Sequence, residues 1–183
     1  MARNTPARIA HDVGLAAWFG GTLANAVALN PAAGKAADPS SSGRVANTGW
    51  DRWTPVNAAA IGLHLGGAAA LLVANKGRVV GQKGVLGMSI AKTALTVAAL
   101  GATGYSRLLG RRVSQETSVP VQSGTEPAAS TPEPVAQAQA QLRILQWVVP
   151  ALTGAVVGIS SYAGEQQRET ELKKGMLGRL GLH

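Results

Sequence analysis

Cysteine is absent from this 183-residue chain. That excludes disulfides, thiolate metal centres, iron–sulfur clusters and cysteine nucleophiles. Charge is scarce too: Asp, Glu, Lys and Arg make up 14% of the residues, against about 25% in an average soluble domain. Aromatic side chains are few, with Phe at 1, Tyr at 2 and Trp at 4. A soluble core draws on bulky apolar side chains. Close-packed membrane helices use small residues instead, because these let backbones approach, and Gly here stands at 23. Enzyme motifs are missing as well. There is no GxxxxGK[ST] phosphate loop, no GxGxxG turn, no HExxH pair and no GxSxG nucleophile elbow, so the chain is read as non-enzymatic.

What is present is a set of long uncharged runs. Val13–Gly34, Thr54–Asn75 and Ile144–Gly164 carry no formal charge, and Val85–Leu109 carries only Lys92 and Arg107. A hydrocarbon core about 30 Å thick needs a helix of roughly 20 residues, so each run is long enough to span. The fold class expected is all-α, a transmembrane four-helix bundle with spans at about 13–34, 54–75, 85–109 and 144–164. The first run has an alternative as a signal peptide, with Arg3 and Arg8 as its basic region and Ala26-Val27-Ala28 as a cleavage signal. Its length and Asp12 at its mouth favour an uncleaved helix. The net charge of +8 lies in loops and tails, where it suits anionic lipid head groups better than nucleic acid.

The remaining segments divide around these spans. Residues 1–12 are a basic N-terminal segment. Residues 35–53 read as an interfacial loop, with turn composition at Asp38–Gly43 and a short interfacial helix over Arg44–Trp53. That helix would set Trp50 and Trp53 at head-group level, where Trp is favoured. Pro55 suits the first turn of the second span. The basic turn Lys76–Gly84 is short enough to make the second and third spans antiparallel neighbours. Residues 113–141 contain four prolines among Ser, Thr, Gln and Glu, a composition expected to give a flexible loop, with the fourth helix starting early, after Pro134. Residues 165–183 form a charged tail, frayed or a short surface helix. Lys and Arg are slightly more numerous on the side of the two termini, which places both termini in the cytoplasm and the protein in the cell membrane.

Each span carries one polar seam, because residues seven apart on a helix differ by only about 20° in direction. The first seam holds His11, Trp18 and Asn25, with Thr22 beside them. The second holds Asn57, His64 and Asn75. The third holds Lys92, Thr96, Thr103 and Ser106, and the fourth Gln146, Thr153 and Ser160. Lipid offers no hydrogen bonds, so the seams should face inward. Small-residue ridges lie elsewhere, at Gly62 and Gly66, Ala98 and Ala102, and Gly154 and Gly158. They suit close helix contact within the bundle or between copies.

The candidate intramembrane polar site is therefore His11, Asp12, Asn25, Asn57, His64, Lys92, Thr96 and Gln146. His64 sits at the middle of its run, where an imidazole is costly. It either bonds an Asn or Thr of a neighbouring helix as a neutral group, or relays protons or holds copper, haem or a quinone. Lys92 either snorkels to the interface or pairs with Asp12. Asp12 suits a helix N-terminus. Counted by depth, His11 and His64 stand more than a turn or two apart, which argues against a shared metal. No cofactor is expected.

The stretch His11-Asp12-Val13-Gly14-Leu15-Ala16-Ala17-Trp18-Phe19-Gly20-Gly21, with Arg52-Trp53-Thr54-Pro55-Val56-Asn57, Ala91–Thr96 and Leu145–Gly154, resembles a group of uncharacterised small bacterial four-helix integral membrane proteins. The opening His-x-x-Gly-x-x-x-Trp-x-Gly-Gly is more distantly similar to the four-helix membrane domains of the copper-resistance D type. The first resemblance implies a four-helix membrane fold without a transferable activity. The functional expectation is a structural or accessory component of the cell envelope, partnered by the lipid bilayer and by a second copy or a membrane-protein complex, with no nucleic acid. The alternatives are a carrier of a small ligand, proton or copper ion, and a redox subunit holding haem or quinone.

Overall fold

A computed structural model describes residues 4–36, 38–76, 85–115 and 119–179, the last fifteen by their backbone path alone. The fold is an all-α four-helix bundle, and all four helices are long and apolar enough to cross a membrane. The first helix, α1 (Thr5–Ala24), runs through a π turn at Asn25–Leu29 into a short α2 (Asn30–Ala33). After a tight corner come α3 (Pro39–Ala74), α4 (Val85–Gln115) and α5 (Glu133–Arg179). Between α4 and α5 lies a two-stranded antiparallel hairpin of β1 (Val121–Ser123) and β2 (Glu126–Pro127). The basic turn expected over Lys76–Gly84 falls, beyond Lys76, outside the described residues, as does the chain end after Arg179.

The partnership of helices follows from where side chains are small. The main partner of α1 is α3, α4 packs chiefly on α5, and α1 also lies against α5. Contact between α3 and α4 is narrower. Gly14 of α1 faces the main chain of α3, where an added Cβ would stand 2.5 Å from Ala60 O and His64 N. Gly67 of α3 faces α1 in return, 2.4 Å from His11 N. These two glycines allow the backbones to touch. The expected ridge of Gly62 and Gly66 is instead open, with nothing within 4 Å of either position. In the same way Ala99, one residue from the expected Ala98, is the alanine of α4 that is fully buried. Of the last ridge, Gly154 takes the Phe19 ring and Gly158 stays open.

Two cores result. Trp18, Ala60 and Ala99 fill the membrane part, with Ile61, Leu100 and Leu152 around them. The second core, built from Leu109, Val113, Val135 and Ala138, lies towards the opposite end from the chain's N-terminus. It belongs to a cap, because the helices outrun the bilayer. At 1.5 Å per residue, the 36 residues of α3 cover about 54 Å, well beyond a core of about 30 Å.

Two segments expected to lie outside the spans, one a loop with a short interfacial helix over Arg44–Trp53 and one a flexible loop, are built into that cap. Residues 39–53 form the first part of α3, which passes without a break through Pro55. The turn-like Asp38-Pro39-Ser40-Ser41 proves to be a helix start. Asp38 is the N-cap, accepting from the Ser41 N–H at 2.8 Å, and Pro39 occupies the first helical position, where its missing N–H costs nothing. The proline-rich connection expected to be flexible is folded over 119–132. Its Val121 is 2% exposed and the hairpin packs on α3, α2 and α5. Gly124 at its tip sits against Asn30 and Ala46, where a Cβ would stand 2.5 Å from Asn30 Oδ1. The composition lacks apolar surface of its own, but the projecting ends of α3 and α5 supply it.

Candidate functional site

The inward face of α1 buries His11, Gly14, Leu15, Trp18 and Thr22, which is the seam expected from its period. Because α1 begins at Thr5 rather than Val13, His11 lies in its second turn, about 9 Å from the helix start. The α3 helix brings His64 to the same level, and His64 is 1% exposed. The two imidazoles stack with centroids 4.4 Å apart at 45°. The depth separation expected between them is overturned. It counted from a later helix start and could not include the close crossing at Gly14 and Gly67.

Four of the expected residues meet here. His11 Nδ1 lies 2.7 Å from Asp12 Oδ1, and its Nε2 lies 3.5 Å from Lys92 Nζ of α4. His64 Nδ1 approaches the His11 carbonyl oxygen at 3.2 Å. The geometry assigns the protons. A carboxylate only accepts, so His11 Nδ1 donates to Asp12, and in the neutral ring Nε2 carries the lone pair. Lys92 donates to that lone pair. A carbonyl also only accepts, so His64 Nδ1 donates and its Nε2 is the basic nitrogen. Lys92 therefore reaches His11, where the sequence offered either snorkelling to the interface or a pair with Asp12. Asp12 itself is 59% exposed. The partner of His64 is main chain and a second imidazole rather than the Asn or Thr of its neutral, structural alternative.

Beneath this cluster the packing is apolar. Trp18 lies 6.2 Å from His64 between ring centroids and donates from Nε1 to Thr103 Oγ1 at 3.2 Å. With Ala60 and Ala99 it forms an apolar layer beneath the cluster. The site is accordingly a buried cluster of two imidazoles with Lys92 and the exposed Asp12, towards the α1 N-terminus.

The other expected residues lie apart from it. Asn57 is buried on α3 with its Oδ1 unpaired by protein. Thr96 is half-buried on α4. Asn75 caps the end of its own helix through Leu71 O. Gln146 joins a second polar centre at the base of the cap, accepting from Asn30 Nδ2 at 2.9 Å. Asn30 Oδ1 accepts from Trp50 Nε1 at 3.0 Å, and Asn30 is 1% exposed. In a regular α-helix residues five apart differ by about 140°, which sets Asn30 off the seam of Asn25. The π turn changes this: the Asn30 N–H bonds Asn25 O, five residues back, so Asn30 stands above Asn25 and both are buried. No local signal marks a π turn, but the Asn25-to-Asn30 spacing is the trace it leaves.

Among the described residues no three His, Asp or Glu side chains are grouped to hold a metal ion. No family model matches the chain, and no curated protein or solved structure matches it. Its class, a multi-pass membrane protein of four helices, rests on the fold itself.

Proposed function

We propose that the protein has a non-enzymatic, accessory role in the cell envelope, exercised through a proton-binding site on the cytoplasmic side of the bundle. One observation carries the reading: two basic nitrogens, His11 Nε2 and Lys92 Nζ, lie 3.5 Å apart, close enough to share one proton. Asp12 orients the imidazole and balances one positive charge, and a second proton would set two cations side by side. Such a proton is bound or released according to what reaches the site, with His64 stacked against it as the next acceptor. The apolar packing of Trp18, Ala60 and Ala99 beneath it favours binding over conduction. Of the alternatives, haem held between His11 and His64 is not supported, since centroids 4.4 Å apart leave no room for a macrocycle.

The test is a nitrogen NMR titration of both imidazoles in the purified full chain, with Lys92→Met beside the wild type. The expected outcome is that the His11 titration moves in Lys92→Met, while His64 shifts less. Both imidazoles titrating as free histidine, indifferent to residue 92, would sink the proposal. Association with a second copy or a larger membrane complex is a further element of the reading. It is supported by Gly62 and Gly66, which face outward with open space above them.

A further inference from the structure

The opposite end of the bundle holds a separate feature. A cleft of about 780 Å³ opens where the cap meets the membrane helices, between the π turn and α2, the start of α3, the hairpin and α5. Its inner wall carries the Asn30–Gln146 pair, and its mouth carries Lys35, Arg143, Asp38 and Glu126. Asp38 is engaged as the cap of α3 by Ser40 and Ser41. Among the described residues, Lys35, Arg143 and Glu126 make no side-chain hydrogen bond or ion pair. The mouth thus offers two uncommitted cations and one uncommitted carboxylate.

The level of the cleft is set by tryptophan. Trp50 bonds Asn30, which lines it, Trp53 lies against Gly21 a little below, and Trp147 forms part of the lining and is 51% exposed. Trp gathers at the membrane–water interface, so the cleft stands at head-group depth. Ile144, about one helical turn before Trp147, is 66% exposed. A lipid tail can therefore lie against α5 while its head enters sideways.

We infer that this cleft binds a phosphate–amine zwitterion of the phosphoethanolamine type, its phosphate on Lys35 and Arg143 and its primary ammonium on Glu126. The uncommitted Glu126 at the mouth decides against a purely anionic ligand, which would leave that carboxylate uncompensated. A quaternary ammonium is disfavoured because it calls for an aromatic cage, and Trp147 is the only aromatic residue of the lining. A primary ammonium needs acceptors, which Glu126 and the buried hydroxyls of Ser123 and Thr125 provide. The same head group occurs on a membrane lipid and as soluble glycerophosphoethanolamine. The exposed apolar flank of α5 favours the lipid.

Native mass spectrometry of the full chain, released from vesicles of equal dioleoyl-phosphatidylethanolamine, -phosphatidylcholine and -phosphatidylglycerol, tests the inference. Phosphatidylethanolamine should be retained preferentially. The double variant Lys35→Ala/Arg143→Ala should weaken that retention about tenfold, as loss of charge-assisted hydrogen bonds does. Glu126→Lys should turn the preference towards phosphatidylglycerol, a gain that unfolding cannot mimic. In a second arm, calorimetric titration with glycerophosphoethanolamine identifies the source. Binding there, lost in the double variant, assigns a soluble ligand, and binding only from vesicles assigns the lipid. The inference is overturned if the wild type shows no head-group preference in either arm, or if the variants keep the wild-type preference.

Discussion

Gly67 and Gly66 are neighbours in sequence and opposites in consequence. A methyl group at Gly67 would stand 2.4 Å from the His11 main-chain nitrogen, whereas at Gly66 it would meet nothing within 4 Å. Overpacking a tight contact costs about 1–3 kcal/mol, so Gly67→Ala should lower the melting temperature in detergent and part the two imidazoles. Gly66→Ala should leave both unchanged. Equal melting of the two variants would show that the helices do not cross here. Asn30 is a second test at this scale. Asn30→Leu strands Gln146 Oε1 and Trp50 Nε1, and a buried group left unpaired costs about 1–3 kcal/mol. The variant should melt well below the wild type, and Thr96→Val, which breaks no such bond, should not.

At the scale of elements the start of α3 carries a pH dependence. Hydrogen bonds from Ser40 and then Ser41 hold the Asp38 carboxyl down to about 2 from its ordinary 3.8. A carboxyl depressed in the folded state contributes stability above its unfolded value and loses it as pH falls through the folded one. The support Asp38 gives the first turn of α3 is therefore complete above pH 3.8 and fades towards about 2. Helical signal and tryptophan fluorescence should report that loss in the wild type, and Asp38→Ala should flatten it. The hairpin is the other element to test. Val121→Asp would set a charge at a position 2% exposed and release the hairpin from α3. Limited proteolysis should then cut within 119–132 in the variant and spare the wild type. Equal cutting of both would mean that the hairpin is not docked.

For the whole molecule the four spans fix which regions share a side of the membrane. The absence of cysteine makes labelling unambiguous. Ser40→Cys and Ser130→Cys, both exposed, should react with an impermeant thiol reagent from one side, and Thr5→Cys from the other. Labelling of Thr5→Cys and Ser130→Cys from the same side would contradict the four-span bundle. The two polar centres divide along the same axis. The His11–His64–Lys92 cluster lies towards the side of the α1 N-terminus, and the Asn30–Gln146 centre with its cleft lies towards the cap. The plug around Trp18 keeps them apart.

The sequence by itself determined the four spans, the all-α class and the buried face of α1. Each depends on local quantities. Charge is kept from a run of about 20 residues by the cost of burying it in hydrocarbon, and period alone selects His11, Trp18 and Thr22 as one face. Only the tertiary structure decided which buried groups meet. His11 and His64 stack because Gly14 and Gly67 let α1 and α3 touch, while the equally plausible Gly62 and Gly66 face outward. Asn30 joins Gln146 because a π turn adds one residue to the seam, a shift invisible to a 3.6-residue period. The proline-rich connection folds because helices longer than the bilayer is thick offer it an apolar surface that its own composition lacks. Those outcomes depend on the register between segments far apart in the chain, where many small packing differences compete, and no single stretch carries their sum.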